Sequence, residues 1–163
     1  MSDVELAAAT ASHRIFLVVV DSSAEMQVAL YYAAKRARRT GGHVALLHVS
    51  PPPETHGLRS VEELMREEIR REAELLVLKL AKEVQDWTGT LPVLYMREGN
   101  KREELLALIE EEPTISVLVL GAATGPEGPG PLISYLAKSF GRLRIPVTLV
   151  PGNLTRAQLD VIT

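Results

Sequence analysis

Two stretches of this chain bring together residue types that could hold a small charged ligand. The first is Asp21-Ser22-Ser23, a carboxylate and two hydroxyls placed directly after a run of apolar residues. The second is residues 117–139, VLVLGAATGPEGPGPLISYLAKS, in which an apolar run breaks into a loop rich in glycine and proline and then resumes with helical spacing. A buried strand that runs into a glycine-rich loop and a helix start gathers backbone N–H donors at one sheet edge, where an anion or phosphate can be held. A plain surface connection is the competing reading: Pro126, Pro129 and Pro131 each remove a donor that a phosphate cradle would use. Asp21 has two readings as well, as a contact to a ribose or base, or as a residue that caps the helix after it.

Other chemistries find no constellation. The four histidines, His13, His43, His48 and His56, lack metal-ligand spacing. No Gly-x-Ser-x-Gly elbow and no P-loop occurs. His48 falls inside an apolar run and reads as a core histidine rather than a base. The absence of cysteine excludes disulfides, thiol nucleophiles and thiolate metal sites. A net charge of −3 provides no positive field for a polyanion, so no nucleic-acid partner is expected. The basic residues of segment 35–39 sit where a helix would end and complement its dipole. Residues 1–12 lack the pattern of a signal peptide, and no apolar run approaches membrane-spanning length, so a cytoplasmic protein without a membrane partner is expected.

The elements that must position these residues follow from periodicity. The continuous apolar run at 15–20 and a second buried run at 44–49 have the length and composition of strands buried on both faces, and 115–120 reads as the fourth strand. Residues 92–97 read as a less apolar strand suited to an edge, and 145–150 as a fifth strand. Between them lie four helical patterns. Met26, Leu30, Ala33 and Ala37 form a stripe opened by a capping box at Ser22 and Glu25 and stopped by Gly41-Gly42. Ile69, Ala73, Leu76, Leu80, Val84 and Trp87 form another, opened at Ser60 and Glu63, with the charges around it on a solvated face. Asn100 caps a helix that Pro113 limits, and Leu132, Leu136, Phe140 and Leu143 keep helical spacing after the loop. Five strands alternating with four main helices specify a single α/β domain, a doubly wound five-stranded parallel sheet of Rossmann-like type. Its expected bounds are an N-terminal arm at 1–12, the domain at 13–150 and a C-terminal tail at 151–163. In such a sheet the ligand crevice lies at the carboxyl ends of the strands where the strand order reverses, which would bring Asp21 beside the loop at 121–130 and suit a mononucleotide.

At these segments the chain resembles the universal stress protein family. The opening strand ending Val20-Asp21-Ser22-Ser23, the second strand ending Leu47-His48-Val49, Arg97-Glu98-Gly99-Asn100 with its helix, and Val117-Leu118-Val119-Leu120-Gly121 match in order. The resemblance implies a stress-response regulatory protein that binds an adenine nucleotide, ATP, ADP or AMP, with or without magnesium, and at most hydrolyses it slowly. It implies adenine or ribose contacts from Asp21 and Val49, a ribose or first-phosphate contact from Gly121, and phosphate contacts from Gly125, Gly128, Gly130 and Ser134. The family's nucleotide-binding pattern is Gly, two residues, Gly, nine residues, then Gly and Ser or Thr. Here Thr124 stands at the second glycine, Ile133 precedes Ser134 where glycine is expected, and the interval is one residue short. The Ser-Gly-Gly-x-Asp-Ser loop of related ATP-cleaving enzymes is absent. The alternative is a family member that binds no nucleotide and serves as a dimeric interaction module. The resemblance also implies a homodimer through strand 145–150, whose open edge would invite pairing unless the tail covers it.

Overall fold

The computed structural model describes residues 2–3, 14–54 and 57–163; the arm expected at 1–12 and the histidines at 13 and 56 lie, Ser2 and Asp3 apart, outside that set. Five parallel strands, β1 (Ile15–Val19), β2 (His43–Ser50), β3 (Val93–Glu98), β4 (Ile115–Ala122) and β5 (Val147–Pro151), form one sheet in the order β3-β2-β1-β4-β5. From residue 14 onward the α-helices are α1 (Ala24–Thr40), α2 (Arg59–Thr88), α3 (Lys101–Glu111), α4 (Pro131–Ala137) and α5 (Arg156–Ile162). The order reverses between β1 and β4, the two strands whose ends carry Asp21 and Gly121.

Strand alternation divides the core in two. Phe16, Val18, Val20, Val44 and Leu46 face α1 and α2, while Leu17, Val19, Ala45 and Leu47 face α3 and α4. Met26, Leu30, Ala33 and Ala37 are all buried, so the stripe read for α1 is the one that packs. Gly41 ends α1 at φ 70°, a left-handed cap whose N–H donates to the Ala37 carbonyl.

Several local expectations are corrected. The cap of α1 is Ser23, whose hydroxyl accepts from the Met26 N–H at 3.2 Å, one residue later than the expected box, because the Asp21 carboxylate first turns the chain. The box at Ser60 and Glu63 does not form: α2 begins at Arg59 after Leu58, with no side-chain cap. β5 starts at Val147, with ladder partner Leu118, rather than at Ile145. The last spacing overreached, since α4 stops at Ala137 and a 3₁₀ turn at Phe140–Arg142 leaves Phe140 exposed.

The tail holds a fifth helix. Thr155 and Gln158 form a reciprocal capping box, a signal that the sequence reading passed over. α5 packs on α1: Leu159 is buried, the Tyr31 hydroxyl donates to Asp160 at 2.6 Å, and Arg156 lies over the rings of Tyr31 and Trp87. The tail thus covers a helix, and Leu149 on β5 remains exposed. Leu159→Ala is expected to cost about 2–5 kcal/mol by leaving a cavity under α5. Chemical denaturation followed by Trp87 fluorescence checks it.

Candidate functional site

At the reversal between β1 and β4 lies a cavity of about 530 Å³, within the range of small-molecule sites. Its floor is Val19 and Leu120, the strand ends. Its walls come from three helix starts: Asp21, Ser23, Glu25 and Met26 at α1, Asn100, Lys101 and Arg102 at α3, and Pro129 to Ile133 at α4. Each N-terminus carries partial positive charge, so the cavity favours an anion before any side chain is counted.

The acidic and basic side chains come from different walls. Asp21 Oδ1 accepts the Ser23 N–H at 2.8 Å, so one carboxylate oxygen is committed to the turn. Asp21 thus turns the chain ahead of the helix while Ser23 caps it, and Asp21 also stands in the cavity wall. Asn100 Oδ1 accepts the N–H groups of Arg102 and Glu103 at 3.0 and 3.2 Å. That cap fixes Lys101 and Arg102 at the cavity rim. The Arg102 guanidinium lies 4.7 Å from the centre of the Tyr135 ring, which links α3 to α4, and the Tyr135 hydroxyl accepts from Arg142 at 2.7 Å.

His48 lies close enough to this rim to feel it. Burial lowers its pKa below the ordinary imidazole value, Lys101 lowers it further, and Asp21 opposes both. A depressed histidine contributes stability that is present above its unfolded value and is lost as pH falls through its folded value. Stability should therefore decline on going from pH 7.5 to 5.5 partly through His48, and His48→Gln should flatten that decline. Denaturant midpoints at the two pH values test the difference between the two proteins.

The seven residues implied as nucleotide contacts are not all brought together. Asp21, Gly121 and Gly130 line the cavity. Val49 is buried in the core beneath the sheet, on the side of α3 and α4. Gly125 and Gly128 belong to the outer part of the loop, where the Gly128 N–H donates to the Gly125 carbonyl at 3.3 Å. Ser134 does not open the helix. Gly130 is the N-cap, Pro131 follows, and the Ser134 N–H makes a helical bond to the Gly130 carbonyl. Gly130 lies nine positions after Gly121, where the family pattern spaces its first and last glycines by thirteen, and a proline takes the place of the hydroxyl residue. Gly121 also has a packing reason to be glycine: a Cβ there would clash with the Glu25 carbonyl oxygen and stand 2.5 Å from its carbon.

Lys101 and Arg102 escaped the sequence reading, which gave Asn100 only a capping role. The signal was present. Two cations directly after a strand's carboxyl end stand on the same sheet edge as Asp21 and the loop. Among the described residues no group of three His, Cys, Asp or Glu could hold a metal ion, and no helix is long and apolar enough to cross a membrane.

The universal stress protein family model matches residues 13–151, and the chain belongs to that family. Solved structures share its fold. The universal stress protein UspA from Lactobacillus plantarum is 21% identical, with a TM-score of 0.70 over 85% of this chain and 97% of its own. A family member from Arabidopsis thaliana with AMP bound is 15% identical, with a TM-score of 0.63 over 85% of this chain and 91% of its own. A universal stress protein in complex with cAMP is also 15% identical, with a TM-score of 0.56 over 85% of this chain and 97% of its own. No curated protein matches the chain.

Proposed function

We propose that this chain is a regulatory module that binds an adenine nucleotide in the cavity between β1 and β4. The observation that carries the reading is the cavity itself, with Asp21 at one wall and Lys101 and Arg102 at another. A carboxylate beside the strand ends suits a ribose or base, and the two cations suit a phosphate. The relatives solved with AMP and cAMP support this ligand class. The shortened loop, in which three prolines each remove a donor, favours a single phosphate over the chain of phosphates in ATP. Asp21 Oδ1 and the Ser23 hydroxyl are both engaged in hydrogen bonds at the start of α1, which favours binding over turnover as the function we assign. A homodimer through β5 completes the proposal, since that strand ends the sheet and leaves Leu149 exposed.

Titration calorimetry with AMP, ADP and ATP, with and without magnesium, tests the ligand. AMP should bind, and Asp21→Ala should weaken it more than His48→Gln does. No binding of any of the three at millimolar concentration would sink the nucleotide reading. The same altered loop would then mark a family member that works through protein contacts alone.

A further inference from the structure

Helix α2 carries a second apolar stripe that the fold does not use. Its inner face is Ala73, Val77, Leu80 and Val84, all buried. On the opposite side Val61, Leu64, Leu75 and Leu78 are exposed by 41, 68, 65 and 60%. Isolated surface leucines need no explanation, but these are not isolated. With Glu68 and Arg71 they fall at 61, 64, 68, 71, 75 and 78, alternating intervals of three and four, which is the spacing of a helix–helix seam. Both seam charges are exposed as well.

The order of residues along the seam says what covers it. Laid antiparallel against itself with Leu64 opposite Leu75, the stripe is self-complementary in every layer. Val61 meets Leu78, Leu64 meets Leu75, and Glu68 meets Arg71, after which the same three pairs repeat in reverse. No other class of partner is called for, because the attractive partner of each position is already in the sequence. Shifting by one heptad in either direction sets a charge against an aliphatic side chain, so the central ion pairs fix the register. The two bodies lie on opposite sides of such a helix pair, since the inner face of α2 holds each to its own sheet. We propose that α2 is an interface for a second copy of this chain, joined by two-fold antiparallel pairing of the helices over residues 61–78. This surface is separate from both the nucleotide cavity and β5, and does not rest on either.

The chain has no cysteine, so cross-linking gives a clean test. Full-length protein bearing Leu64→Cys and Leu75→Cys, in a Leu149→Lys background that removes pairing through β5, is oxidised mildly and run without reductant. A disulfide needs Cα atoms within about 7 Å. Residues 64 and 75 of one helix are about 16 Å apart, so they cannot close within one chain. In the proposed register each meets the other residue of the second copy, and a covalent dimer should form. Either single variant should fail, because its own position in the second copy again lies about 16 Å away along the pair. Absence of a covalent dimer from the double variant, or equal yield from a single one, overturns the pairing. Sedimentation of cysteine-free protein in the same Leu149→Lys background supplies the second readout. Glu68→Arg and Arg71→Glu should each weaken self-association about tenfold or more by opposing like charges at the centre, and the two together should restore it. A double reversal that stays as weak as the single ones also overturns the proposal.

Discussion

Gly121→Val is expected to lower the folding stability by about 3 kcal/mol or more, the largest effect of any single substitution at the cavity. The cause is backbone against backbone. At the end of β4 the chain passes so close beneath the first turn of α1 that a Cβ would collide with the Glu25 carbonyl oxygen, while standing 2.5 Å from its carbon and 3.0 Å from the Met26 nitrogen. A flexible side chain could move aside. The first turn of α1 cannot, because the hydrogen bonds of Asp21 and Ser23 hold it and Met26 is locked into the core. A second glycine closes the same contact, for a Cβ at Gly152 would stand 2.6 Å from Glu25 Cβ. Gly125→Val, in open space on the outer loop, should change stability little. Urea denaturation of the two variants separates the positions. If both lose the same small amount, the close approach of β4 to α1 is not what requires glycine at 121.

That contrast shows where the sequence spoke clearly and where it did not. Buried strands announce themselves, since runs such as Phe16 to Val20 leave few alternatives in a chain of this length. Five strands separated by helical patterns left one architecture to expect, and the capping of α3 by Asn100 was read correctly because that signal is local. Glycines are harder to interpret. The sequence cannot distinguish one that opens room for a ligand from one that lets two backbones touch, and Gly121 lines the cavity while serving the second need. Matching the loop by residue count led to Ser134 as the helix opener, whereas the helix opens three residues earlier at Pro131, with Gly130 as its cap. Pro131 was the better guide, because proline is at home in the first turn and lacks only an N–H that has no helical partner there. The cations at 101 and 102 were overlooked for a different reason. They follow β3, which two strands separate from β4 in the sheet order, and only the path of α3 back beneath the sheet brings its start to the cavity rim.

Reversing those cations is the decisive change for the proposed ligand. Lys101→Glu with Arg102→Glu is expected to weaken AMP binding about 100-fold or more while leaving the weaker binding of adenosine nearly unchanged. Each charge-assisted contact to a phosphate contributes about 1.5–3 kcal/mol, and the reversal adds repulsion to the loss. The fold should tolerate the change. Arg102 is exposed, Lys101 is partly so, and glutamates in the first turn of α3 suit its dipole as well as or better than the cations they replace. What is given up is the stacking of Arg102 on Tyr135, about 0.5–1 kcal/mol at an exposed site. Salt provides a check that does not depend on mutation, since raising ionic strength should weaken AMP binding to the wild-type chain and leave adenosine unaffected. Calorimetry with the two ligands reads both effects. Equal losses for AMP and adenosine would mean that the substitutions had disturbed the cavity as a whole. An unchanged affinity for AMP would place the phosphate elsewhere, against the start of α4 rather than at the rim formed by α3.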